Sequence, residues 1–173
     1  MLLIIAQILG FAAVGLYFLS YQLKKRSQIV GAIFVSNLFY IAQYILLGAF
    51  AGAVMDVLAA AASYLGVKKN TPYFKKNIKW IAPLILLAIV VIGLAIAIIR
   101  HKWIELLAVA GTVFQAISLW CDDEQTIRKF SLCSAPFWLI YNFISQAYGA
   151  AIGSVFVILS IIVSLIRYRK NKN

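Results

Sequence analysis

The sequence predicts an all-α integral membrane protein, with seven transmembrane helices set as two parallel three-helix repeats joined by an inversion-linker helix. Three observations predict it. The first is composition: of 173 residues, 64% are hydrophobic and 12% charged, with mean hydropathy +0.95, against about 45–50% apolar and about 25% charged in soluble domains. The second is segmentation, because apolar stretches of near-bilayer length alternate with short basic ones. The third is self-similarity. A shift of 98 positions lays Phe39-Tyr40-Ile41-Ala42-Gln43-Tyr44-Ile45 on Phe137-Trp138-Leu139-Ile140-Tyr141-Asn142-Phe143 without a gap. It also carries Ser36 onto Ser134, Phe50 onto Tyr148, Ala53 onto Ala151 and Asp56 onto Ser154, and the polar linker 24–27 onto 122–125. One register across polar and apolar landmarks is the mark of an internal duplication.

Taken in order, the expected spans are roughly 2–23, 29–49, 52–67, 80–99, 103–120, 130–147 and 150–167. The first is apolar from its start and its basic residues Lys24, Lys25 and Arg26 follow it, so it reads as a retained helix and not a cleaved signal. The third is alanine-rich (Ala59 to Ala62, then Ser63), which suits close packing on neighbours. Segment 68–79 is the longest polar stretch and reads as a linker. The fourth span is almost purely aliphatic and has no repeat partner. Three is odd, so two three-helix units joined directly would lie in opposite orientations; one extra span restores them to the same one. The chain then divides as one membrane domain: repeat one 1–67, linker with helix four 68–101, repeat two 102–167 and basic tail 168–173.

The net charge of +11 points to a membrane surface, not to nucleic acid. With the N-terminus outside and the C-terminus inside, segments 24–28, 68–79, 121–129 and 167–173 hold 14 of the 16 Lys and Arg residues, which satisfies the positive-inside rule. Cys121 and Cys133 then flank a cytoplasmic linker, where a disulfide is not expected. Trp80 and Trp103 start helices and read as interfacial anchors. His101, between Arg100 and Lys102, reads as a solvated residue of an outer turn.

Polar groups inside a membrane face the bundle interior. Trp138, Tyr141, Asn142 and Ser145 fall on one face of helix six, and Asn37, Tyr40, Gln43 and Tyr44 on one face of helix two. Two facing stripes of this kind can line a central cavity, or can bond helix to helix as glue. Asp56 and Glu105, both near outer helix ends, are candidates for ion coupling or for a wet interfacial position. Gln7, Gln22 and Gln115 read as packing amides, and Pro136 as a point of weakness one turn before Asn142. With no phosphate loop, no zinc spacing, no Gly-x-Ser-x-Gly and a single histidine, catalysis, metals and cofactors are not expected.

The three-plus-one-plus-three plan resembles that of the SWEET sugar transporters, the PQ-loop proteins and the Pnu vitamin transporters. In SWEETs an asparagine–tryptophan layer lines the central site; here the Asn142–Trp138 pair lies on helix six. Tyr21-Gln22 has no proline before the glutamine, so the PQ dipeptide itself is absent. The chain is also similar to the bacterial YgjV inner-membrane protein family, through Glu105-Leu106-Leu107, Gly111-Thr112-Val113, the run Trp138 to Phe143, and Ile166-Arg167-Tyr168. That resemblance implies a bacterial plasma-membrane location and brings no substrate.

Two functions are compatible with these features. One is a carrier of a small polar solute, facilitative and working by alternating access. The other is a non-transporting scaffold or regulator that offers its basic face, chiefly 68–79 and 167–173, to a partner or to anionic lipid. The expected partners are a small solute and the bilayer, with a homo-oligomer left open.

Overall fold

The structure, a computed structural model, describes residues 2–169 apart from the side chains of Ile78 and Arg169. Residues 170–173 of the expected basic tail lie outside the described residues. Among the latter the chain forms α1 (Leu2–Ser20), α2 (Arg26–Leu46), α3 (Phe50–Lys68), α4 (Pro72–Ile99), α5 (Glu105–Trp120), α6 (Glu124–Ile144) and α7 (Tyr148–Arg169). Five stretches are long and apolar enough to cross a membrane: α1, α2, α3, the Lys79–Ile99 part of α4, and Tyr148–Tyr168 of α7. At 16 residues α5 is apolar but shorter. The apolar pattern of α6 is broken by Arg128, Lys129, Ser131 and Ser134.

Several boundaries depart from the sequence expectation, for local reasons. Segment 68–79 is mostly helix: Pro72 occupies the first turn of α4, where its missing N–H costs nothing, and only residues 69–71 remain as connection. The starts of α2 and α6 lie several residues earlier than the apolar runs suggest, at Arg26 and Glu124. Hydropathy marks where lipid contact begins, whereas the helix begins where the backbone is capped. At α6 the cap is Asp123, whose carboxylate accepts from the Thr126 N–H and hydroxyl, both at 2.8 Å. Both helices end at a residue of positive φ, Gly48 (69°) and Gln146 (60°), a conformation that is free for glycine and strained for glutamine.

The helices close into a ring. α2 packs on α1 and α3, α6 on α5 and α7, and the ring is completed by the seams α1–α7 and α3–α5. α4 lies outside, against α3 and α5. From Trp80 onward its remaining surface is hydrocarbon, with Trp80, Leu84, Leu87, Ile98 and Ile99 all exposed, an apolar face of the kind that a bilayer covers. Trp103 is exposed as well.

The 98-residue offset recurs in the bonding. Ser36 donates to the Ala13 carbonyl and Ser134 to that of Gly111, each at 2.7 Å. Ser20 donates to Tyr17 and Ser118 to Gln115, at 2.6 and 2.7 Å. In the two turns, the Ala49 N–H reaches the Tyr44 carbonyl and the Ala147 N–H that of Asn142, both at 2.9 Å.

Candidate functional site

At the centre of the ring is a cavity with about 50 Å³ of room for solvent centres, enough for roughly three to five waters. Its walls are supplied in pairs 98 positions apart. From α1 and α5 come Tyr17 and Gln115; from α2 and α6 come Asn37 and Ala135, Tyr40 and Trp138, Tyr44 and Asn142. From α3 and α7 come Asp56 and Ser154, then Ala59 and Val157. Ser131 and Ser134 of α6 complete the lining.

Tyr44 and Asn142 meet across the ring, the tyrosine hydroxyl donating to the asparagine Oδ1 at 2.5 Å. Asn142 Nδ2 donates in turn to Ser154 Oγ at 3.4 Å, and that hydroxyl to the Ala150 carbonyl at 2.9 Å. Asn37 donates to Ser63 Oγ at 3.3 Å and Gln115 Nε2 to Ser118 Oγ at 3.2 Å. The Asp56 Oδ2 and the Gln115 Oε1 are buried without a protein partner. Aromatic rings run through the site in one chain: Tyr17 edge-on to Tyr40 at 6.4 Å, Tyr40 stacked on Tyr44 at 6.1 Å, and Tyr44 stacked on Trp138 at 6.3 Å. Trp138 approaches α5 so closely that a Cβ on Gly111 would stand 2.7 Å from its ring, so that glycine is what admits the indole.

Of the residues singled out from sequence, Asn142, Trp138, Asn37, Tyr40, Tyr44 and Asp56 line this cavity. Tyr141 lies beside it, its ring 5.7 Å from that of Trp138 and its hydroxyl accepting from the Gly52 N–H at 2.9 Å. Gln43 is buried against Gly10 of α1, with both amide atoms unpartnered. Ser145 caps the end of α6, and Glu105 opens α5 with its carboxylate 3.8 Å from Arg100. Gln115, read from sequence as a packing amide, does bond within α5 and also faces the cavity. Tyr17 and Ser131 carried no sequence signal of their own; Tyr17 is reachable only by applying the offset backwards from Gln115.

The basic ends of the helices are tied together. Arg26 of α2 donates to the carbonyls of Leu119 and Cys121 at the end of α5 (2.6 and 2.8 Å) and of Gly66 in α3 (2.9 Å). Arg128 of α6, buried, donates to those of Tyr21 and Leu23 after α1 (3.4 and 3.0 Å), and lies 4.5 Å over the Tyr168 ring of α7. The accepting carbonyls again stand 98 apart, 21 with 119 and 23 with 121, though the two arginines do not. A cation on carbonyls at helix C-termini is favourable. Lys69 adds bonds to the Trp120 carbonyl (2.7 Å) and Asp122 (2.5 Å). That bond from Lys69 holds the Asp122 carboxyl below the usual carboxylate range. Burial pushes the Cys121 thiol up, and Cys121 and Cys133 are both free.

A ring of apolar helices with a lipid-type exterior and a polar interior defines a multi-pass helical membrane protein. More specifically, the chain belongs to the Imp-YgjV family of bacterial inner membrane proteins, whose model matches residues 4–172. No curated protein and no solved structure is similar enough to be matched to it.

Proposed function

We propose that the protein is a carrier of a small polar solute, working by alternating access between two parallel three-helix repeats, α1–α3 and α5–α7. α4 is the seventh span and the inversion linker. The observation that carries this reading is the cavity: six pairs of positions 98 apart, one member from each half, enclose it at the seam where the halves meet. Sites at repeat interfaces are where rigid-body rocking changes access. The basic end is cytoplasmic, with the N-terminus outside and the C-terminus inside, in accord with the positive-inside rule.

Bonds between the halves flank the cavity on both sides. On the basic side are the Arg26, Arg128 and Lys69 clasps. Towards the opposite end are Tyr44 to Asn142 and Gly52 to Tyr141. Opening either way needs one set to break while the other holds. No buried ion pair lines the cavity among the described residues, and the expected mode is facilitated diffusion. The scaffold reading uses the basic face chiefly of 68–79, where Lys69 is spent on the Trp120 carbonyl and Asp122 while Lys68, Lys75, Lys76 and Lys79 stay exposed.

The test is solute counterflow in proteoliposomes with sugars, amino acids, nucleosides, vitamins and small amines. Wild type is expected to exchange one class and Asn142→Ala, folded, to lose it. A folded wild type that exchanges none of them overturns the carrier reading in favour of the scaffold.

A further inference from the structure

The cavity holds one unpaired acid among aromatic faces. Several of its donors are spent on the protein: the Tyr44 hydroxyl, one N–H of each of the Asn37, Gln115 and Asn142 amides, and the hydroxyls of Ser134 and Ser154 donate to protein acceptors. Two acceptors are left over, Asp56 Oδ2 and Gln115 Oε1, in side chains only 5% and 3% exposed. The Tyr17 and Tyr40 hydroxyls can serve either way. Among the described residues that line the cavity, Asp56 is the only carboxylic acid, and no Lys, Arg or His joins it. A buried carboxylate without a cationic partner is costly, and here it faces a wall of aromatic rings. What marks the cavity is therefore an unpaired carboxylate and an unpaired amide carbonyl beside the π-faces of Tyr17, Tyr40, Tyr44 and Trp138.

From this complementarity we infer that the cavity binds a small organic cation, an alkyl-substituted ammonium group. The group sits against the aromatic faces, with Asp56 as counter-ion and Gln115 Oε1 as a second acceptor. Aromatic faces attract such cations through the ring quadrupole, and desolvation strengthens the attraction. The modest volume restricts the ligand to a compact molecule. The inference rests on the carrier reading above, since it takes this cavity to be the solute site. It names the class of solute.

The test uses the detergent-purified full chain. Thermal stabilisation and calorimetric titration are run with choline chloride, methylammonium chloride, sodium chloride and 3,3-dimethylbutan-1-ol, the neutral carbon isostere of choline. At least one ammonium is expected to bind saturably, and the isostere about tenfold more weakly or worse, the loss expected for a desolvated cation–π contact. Asp56→Asn is expected to weaken cation binding about 30-fold or more, as for removal of one partner from a desolvated charge pair. Trp138→Leu should weaken the ammonium more than the isostere.

Binding of neither ammonium, an isostere that binds as well as choline, a sodium chloride effect equal to that of choline, or a folded Asp56→Asn with unchanged affinity would each overturn the proposal. If Asp56→Asn fails to fold, the wild-type comparison of choline with its isostere decides alone. Proteoliposome uptake separates the two readings. Ammonium binding without uptake leaves the cation site standing and removes the carrier. Uptake of a neutral solute without ammonium binding does the reverse.

Discussion

The two halves of the ring share hydrogen bonds at positions 98 apart and differ in what they place in the cavity. In the bonds that hold the frame the matching positions keep their jobs: Ser20 and Ser118, like Ser36 and Ser134, make the same bonds to matching carbonyls. In the cavity lining other matched positions diverge: Tyr17 is matched by Gln115, Asn37 by Ala135, and Asp56 by Ser154. The first half brings the charge and three tyrosines; the second brings the indole, amides and hydroxyls. The difference teaches that a symmetric frame can hold an asymmetric site. Backbone bonds constrain these serines, within a helix for Ser20 and Ser118 and between helices for Ser36 and Ser134, while other positions of the cavity wall are free to follow the ligand.

The largest expected effect tests the frame. Arg26→Ala and Arg128→Ala each leave two or more carbonyls without their charged donor. Each should cost about 2–4 kcal/mol, within about 1 kcal/mol of the other if the two clasps are equivalent, read from unfolding in detergent. A loss at only one of them breaks the symmetry of the basic end.

The next tests the asymmetry. Asp56→Ser should lower cation affinity about 30-fold or more. Adding Ser154→Asp transposes the charge to the other half and should restore part of the loss, as titration calorimetry would report. No recovery would mean that the carboxylate acts only from α3.

A smaller effect separates the two turns. Gly48→Ala puts a Cβ at φ 69° and should cost about 1–2 kcal/mol, whereas Gln146→Gly relieves the strain at φ 60° and should stabilise by up to about 1 kcal/mol. Opposite signs in melting temperature are the expected result.

The smallest concerns pH. The folded state holds the Asp122 carboxyl below its ordinary value, chiefly through the bond from Lys69. Its stabilisation is therefore complete above the unfolded carboxylate range, about pH 4, and is lost as pH falls through the lowered folded value. Wild type should exceed Asp122→Asn slightly at pH 7, and the gap should close in acid. The carboxylate is 85% exposed, so the gap is small.

Much of this arrangement was legible before the structure. The helical class, the polar stripes of α2 and α6, and the apolar character of α4 all follow from residue order. Periodicity identifies a helix face, however, and not the neighbour it meets. Gln43 shares its stripe with Tyr40 and Tyr44, yet it turns to Gly10 of α1 because that glycine leaves room for an amide. Ser145 falls one residue beyond α6, since the helix ends at Ile144. The arginine clasps were hidden for another reason: Arg26 and Arg128 occupy unmatched positions, and long side chains reach matched carbonyls from different starting points. Their charge reads in sequence as solvated loop, whereas Arg128 is among the most buried side chains of the chain.

Whether the two halves move against each other about the cavity is tested most directly by one distance. Spin labels at Ser27 and Gln125, matching positions in the first turns of α2 and α6, report the width of the basic end once Cys121 and Cys133 are replaced by serine. Releasing both clasps with Arg26→Ala and Arg128→Ala should add a longer-distance population by double electron–electron resonance. An unchanged distance in the folded double variant would contradict the account, because clasps that hold nothing closed cannot gate alternating access.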